Sequence, residues 1–274
     1  MKKTITYLFI ILGLMSCNAQ KLPKIKGDKN VRDVYKTLEE FNAIEIEGNF
    51  DVTFTKGDTN EYHLRADENL VSVIDFQVFD GVLKIKPLYN ITASKKLEID
   101  ITYNNVNAIT LRGDIDLESK NKLDFDILTF TAFDDVDFDL DMNVNDATFI
   151  LNNNTKGDVQ LKGLKSRMIF NNNAYLKGDI TLEELDVEIN ERSDVSLDGD
   201  VINLKLKATG NTDVKSKDLK AEFANLIASG KADIYVFASK ELQLYAQGKS
   251  YIYVYGNPDI KVEGLNDKSQ IIKK

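Results

Sequence analysis

Aspartates at alternate positions, Asp135, Asp137, Asp139 and Asp141, form the densest set of oxygen ligands in this 274-residue chain. Strand alternation puts all four on one face, and carboxylates gathered that way suit a hard cation such as Ca²⁺. The ligand order of a calcium loop is missing, so a solvated acidic face is the competing reading. Asp158, Asp179, Asp194, Asp213 and Asp233 each directly precede an apolar residue that opens a short alternating run. If they stack as a column, they repel, and local Asx-type bonds to backbone N–H groups are the simplest compensation. Aromatic chemistry is concentrated late, with Tyr235 and Tyr253 on equivalent phases and Tyr245, Tyr251 and Tyr255 nearby. Exposed aromatic rings suit sugars or protein partners, and a ladder that merely stabilises the sheet or covers its edge is the alternative. We take Tyr235, Tyr245, Tyr253 and Tyr255 as candidate ligand-binding residues.

Composition narrows the chemistry further. One Cys and one His leave no material for a zinc cluster or a multi-His centre. With 35 basic against 44 acidic side chains, the net charge of −9 lacks the basic footprint of a nucleic-acid binder. His63 lies in an alternating early strand, and Arg112, Arg167 and Arg192 have no partner set. The carboxylates are so periodic that no acid/base pair stands out. No catalytic residue and no cofactor is therefore expected, apart from the Ca²⁺ candidate.

The first residues address the chain to the cell envelope. Met1-Lys2-Lys3 is a short positive start, followed by an apolar run over 5–14 that is too short to span a bilayer. Leu14-Met15-Ser16-Cys17 resembles the lipobox of bacterial lipoproteins. That resemblance implies removal of residues 1–16 and lipidation of Cys17, whose several acyl chains would hold a folded domain on a membrane. Residues 17–37 read as the lipidated Cys and a polar tether. Asn18 is not the Asp that retains some lipoproteins on the inner membrane, so outer-membrane anchoring is expected, on either face.

The domain over 38–270 is built on a repeat. The unit acid-apolar-x-apolar recurs at Asp114, Asp135, Asp158, Asp179, Asp194, Asp213 and Asp233, then with Tyr251 in the acidic slot, at a mean period of about 20. A second track carries Asn152, Asn171 and Asn190; Ala208, Ala228 and Ala246 follow in what reads as the same phase, each two residues before a Gly. Short strands at that period, with three Pro and no helix-length amphipathic run, mean one coil per repeat. The fold expected is all-β, a parallel β-helix or β-solenoid, right-handed by the crossover rule. Asn at a fixed phase can bond its equivalents one strand spacing above and below.

The ending Leu244 to Pro258, with Tyr251-Ile252-Tyr253-Val254-Tyr255-Gly256-Asn257-Pro258, resembles the close of the "putative auto-transporter adhesin, head GIN domain" family. Phe41 to Gly48, Asp67-Glu68-Asn69-Leu70 and Ala228 to Ile234 are similar to other parts of that family. The resemblance implies a right-handed β-helix on an envelope lipoprotein. It points to an adhesin-like, non-catalytic head that engages glycan or an envelope protein. A ligand-free scaffolding lipoprotein is the alternative, with a polysaccharide-active β-helix enzyme behind it. Asn152-Asn153-Asn154 and Asn171-Asn172-Asn173 depart from the family's Gly-rich corners.

Overall fold

The computed structural model describes residues 22–274. Cys17, the leader 1–16 and the start of the tether lie outside the described residues. The chain is nearly all strand, with one four-residue helix, Glu68–Val71. Strands Asp137–Leu151, Lys156–Phe170, Tyr175–Glu191, Asp194–Gly210, Asp213–Gly230 and Asp233–Ala246 each pair in parallel with the next. This is the expected parallel β-solenoid, about nine turns of about 19 residues.

Alternation explains why each coil closes. In Asp194–Gly210, Val195, Leu197, Val201, Leu204, Leu206 and Ala208 point inward and are almost wholly buried. The alternation slips at 198–200, at 202–203 and again after 209, so the strand bends and presents three faces. We call 194–198 face A, 200–202 face B and 203–209 face C, and use these letters for the equivalent positions of every coil. Inward residues of successive coils stack into one continuous core, where each buried Leu, Ile or Val contributes about 1.5–3 kcal/mol.

The corner between face C and the next face A is made the same way in coil after coil. Gly113, Asp134, Asn153, Asn172, Glu191, Gly210, Gly230 and Gly248 all have positive φ, from 63° at Asn153 to 116° at Gly210. Register and ladder bonds place them in one column. Asn and Asp tolerate this left-handed conformation better than other side chains, so the Asn triplets make the corner that Gly makes later. They also bond along the stack. Asn171 Nδ2 donates to Asn152 Oδ1 at 2.9 Å, and Asn190 Nδ2 to Asn171 Oδ1 at 3.1 Å. A parallel ladder joins Asn172 to Asn153 at 2.8 Å. The alanine track is one place off the phase expected for it. Ala208 is in register with Ile189, whereas Asn190 is in register with Thr209.

The N-terminal end is covered by strands running against the first coil. Val31–Thr37 pairs antiparallel with Glu61–Asp67, and Ile74–Phe79 with Val82–Pro87. Val31–Thr37 was expected to belong to the tether; its buried-side spacing, Val31 and Val34, breaks the two-residue period that marks a strand. Asp67 stands at the helix N-cap position, but its side chain makes no cap bond. Fully buried, its carboxylate accepts the N–H groups of Lys29 at 3.0 Å and Lys95 at 3.1 Å, pinning the incoming chain.

Glu191 is the one corner residue in the Asn–Gly run that gains nothing from a positive φ of 63°. Glu191→Asn is expected to stabilise the protein by about 1 kcal/mol, by relieving that strain and adding a rung to the Asn172 ladder. Gly230→Ala is expected to destabilise it by about 2 kcal/mol or more. A Cβ there would sit 2.5 Å from the Gly210 carbonyl oxygen. Urea unfolding with unchanged m-values checks both.

Candidate functional site

Face A carries two outward columns. The first runs Asp51, Asp116, Asp137, Lys156, Tyr175, Asp194, Asp213, Asp233, Tyr251. The second runs Thr53, Glu118, Asp139, Asp158, Lys177, Ser196, Lys215, Tyr235, Tyr253. Asp194, Asp213 and Asp233 therefore do stack. Asp158 and Asp179 do not join them: Asp158 is in register with Asp139 and Lys177, and Asp179 with Gln160 and Asp198. The acid-apolar unit occurs at more than one phase of the coil, which blurred the column in the sequence. Within the stack Asp194 Oδ1 accepts the Asp213 N–H of the next coil at 2.7 Å, and Lys215 lies 3.1 Å from Asp213. Burial, then the neighbouring Asp213, pushes the Asp233 carboxyl above its usual range.

The acidic end of this face is a hollow of about 590 Å³ whose lining includes Asp51, Glu98, Asp100, Asp116, Glu118, Asp137 and Asp139. Burial, then Asp116 and Glu98, raises the Asp51 pKa. The four alternating aspartates are dispersed by their surroundings. Asp135 lies before the strand and accepts from Asn154 Nδ2 at 2.9 Å. Asp141 is 3.2 Å from Lys122, and Asp137 faces Lys156. Outward neighbours on one strand are about 7 Å apart, too far for the set to converge on one ion. Among the described residues no group of three His, Cys, Asp or Glu is placed to hold a metal.

The other end of face A is aromatic. Tyr235 and Tyr253 stack with ring centroids 4.5 Å apart and planes 12° from parallel. Phe237 and Tyr255 are in register beside them, and Tyr251 lies on the Asp233 column. Lys274 Nζ stands 5.3 Å from the Tyr253 centroid and Lys220 Nζ 4.3 Å from that of Phe237. The result is a half-buried group of five rings on the last two coils, with the exposed Asp233 in the sixth place and cations at its margin. Slight burial, then the nearby Tyr253 and Asp213, raises the Tyr235 hydroxyl pKa. Tyr245 is not part of it. It sits on face C, in register with Ile227, donating to Gln247 Oε1 at 3.1 Å and accepting from Asn266 Nδ2 at 3.1 Å.

Face C holds an open groove of about 650 Å³ that sequence reasoning missed. In its first half charges neutralise one another across coils, Lys165 with Asp146 at 2.9 Å and Lys205 with Asp186 at 3.3 Å, and beside it on the same face Lys207 pairs with Glu188 at 2.8 Å. The Lys207 hydrogen bond holds the Glu188 carboxyl below its ordinary pKa, as Lys261 does for Glu241. Farther along lie Asn203, Phe223, Asn225 and Gln243. Asn203 and Phe223, like Asn225 and Gln243, are direct register neighbours, so only a correct register reveals the grouping.

The comparisons agree with this architecture. A family model described as "Putative auto-transporter adhesin, head GIN domain" matches residues 40–172 and 150–258, and the chain belongs to that family. No curated protein matches. Among solved structures, a "putative adhesin" from Parabacteroides merdae shares 16% identity over 92% of this chain and 99% of its own, with a TM-score of 0.68. A "putative lipid binding protein" from Parabacteroides distasonis shares 17% identity over 92% of this chain and 99% of its own, with a TM-score of 0.65. A "putative adhesin" from the same species gives 16% identity and a TM-score of 0.61, over 92% of this chain and 100% of its own. At such identities the likeness is one of fold. Membership in an adhesin family associates the protein with the cell envelope, and no described helix is long and apolar enough to cross a membrane.

His63 stays a strand residue, as expected, but with a specific role. Its Nδ1 is 2.9 Å from Asp100 and its Nε2 2.7 Å from Asp33, while Tyr35 stacks on the ring at 4.1 Å. Carboxylates only accept, so both ring nitrogens satisfy this geometry as donors when the ring is protonated. Burial pulls the pKa down, but the hydrogen bonds to Asp100 and Asp33 outweigh it and the net shift is upward. A raised folded-state pKa gives stability fully present below the unfolded value near 6.5 and lost as pH rises through the folded value. Urea midpoints should therefore fall between pH 6 and pH 9 in the parent protein, and that fall should be smaller in His63→Gln.

Proposed function

We propose that the protein is a lipid-anchored, non-catalytic adhesin-like head of the outer membrane that engages glycan or protein through the aromatic end of face A. The stacked Tyr235–Tyr253 pair, flanked in register by Phe237 and Tyr255, carries this reading. Aromatic rings fixed by their neighbours offer contact area at little entropic cost, and such residues dominate binding energies where they are grouped. Family membership supports a binding role. The position of the array supports presentation: it lies eight register steps from Thr53 on the first coils, about 40 Å at one strand spacing per step, and the tether enters at that first end. The lipobox-like Leu14-Met15-Ser16-Cys17 supplies the anchor.

Two measurements test this. Cys17→Ser is expected to move the protein from the outer-membrane fraction to the soluble fraction and to abolish labelling by radioactive palmitate; unchanged fractionation and labelling contradict the anchor. On a glycan array and against intact cells, Tyr235→Ala with Tyr253→Ala is expected to weaken binding about tenfold or more with the fold intact. Equal binding by parent and variant removes the tyrosines from the site.

A further inference from the structure

The face C groove has no part in the tyrosine array and lies around the corner from it. Its floor is the outer surface of a parallel sheet whose backbone groups are already paired from coil to coil. A peptide strand therefore has no free edge to join here, and recognition falls to side chains. Those side chains are amides and one ring. Asn203 and Asn225 are exposed, and among the described residues neither side-chain amide hydrogen-bonds another protein group. Each keeps two donors and an acceptor for a ligand. Gln243 donates to Glu241 at 2.7 Å, which orients it along the groove. Phe223 lies between Asn203 and Glu241 in its column, 41% exposed, with Lys240 Nζ 5.2 Å from its centroid.

Charge settles the class of ligand. Asp146 is answered by Lys165, Asp186 by Lys205, Arg167 by Glu188 and Glu241 by Lys261, while Glu184, in register between Lys165 and Asn203, is the one groove carboxylate without an ion pair among the described residues. Beyond the single charge of Glu184, a charged partner would have to break these pairs, whereas a neutral one leaves them in place. Hydroxyl groups, each both donor and acceptor, match free side-chain amides, and the C–H face of a sugar ring matches an exposed aromatic ring. We propose that the face C groove around Phe223, Asn203, Asn225 and Gln243 is a second binding site, for a neutral glycan chain lying across successive coils. It stands independently of the face A array.

The test uses the full chain purified in mild detergent and run in affinity gels containing laminarin, mannan or galactomannan, with polygalacturonate as the charged comparison. At least one neutral polysaccharide should retard the parent, and polygalacturonate should not. Phe223→Ala and, separately, Asn225→Leu should each weaken that retardation about tenfold or more, while Ser196→Ala, in the middle of face A and outside both sites, leaves it unchanged. Both groove substitutions are at exposed positions, and unchanged melting temperatures show that the fold is kept. Retardation by polygalacturonate alone, by no polysaccharide, or undiminished in both groove variants overturns the proposal. Loss in Tyr235→Ala with Tyr253→Ala, together with retention in the groove variants, also overturns it, and would assign glycan binding to face A.

Discussion

Each coil can lie in register on the last only if the chain makes the same left-handed turn at the same phase. From Gly113 to Gly248 that turn is made by Gly, Asp, Asn and, once, Glu, with φ positive throughout. An ordinary side chain resists this conformation by about 1–2 kcal/mol, so the corner is the most sequence-restricted position of the coil. Once it is set, the advance of 18 to 21 residues follows, as between Asp233 and Tyr251 or Gly113 and Asp134. Inward residues then meet inward residues. Local insertions are absorbed elsewhere, as where the register shifts between Ser216 and Lys220.

Stacking equivalents about 4.8 Å apart has a chemical consequence, because every outward column sets like positions side by side. Asparagine turns this into a ladder, each amide donating to the one before. Charged residues face the opposite problem. Face C resolves it by alternating sign from coil to coil, leaving a polar, nearly neutral groove. Face A does so only in part. Its early coils gather carboxylates around Asp51, and its last coils replace charge with the Tyr235–Tyr253 stack. The solenoid thus presents chemically different surfaces on one uniform scaffold, a form suited to display.

Much of the scaffold was legible in the sequence because its period is carried by residue types with a physical reason to recur. The Asn152–Asn171–Asn190 track appears as ladder bonds, and the Gly210–Gly230–Gly248 track as corners. Columns were harder to read. Asp158 and Asp194 head similar acid-apolar units but occupy adjacent outward columns, since nothing in that local pattern states its phase within the coil. Tyr245 was grouped with Tyr235 by nearness in sequence, although a bend separates their faces. The groove was invisible for a related reason: Asn203 and Phe223 become neighbours only through the register, and their types do not match. Val31–Thr37 lacked the alternation of a strand because both of its faces are largely exposed, with only Val31 and Val34 half-buried in a cover over the first coil.

Register is therefore the claim on which the columns, the array and the groove all depend, and paired cysteines measure it directly. Lys177 and Ser196 are in register on adjacent coils. Cysteines at 177 and 196 would lie at about the 5–6 Å Cα separation that a disulfide requires. In a chain carrying Cys17→Ser, Lys177→Cys with Ser196→Cys should oxidise readily to an intramolecular disulfide, and Asp179→Cys with Ser196→Cys should do so far more slowly. Preferential closure of the 179–196 pair, or no closure of 177–196 in the folded protein, would contradict the account.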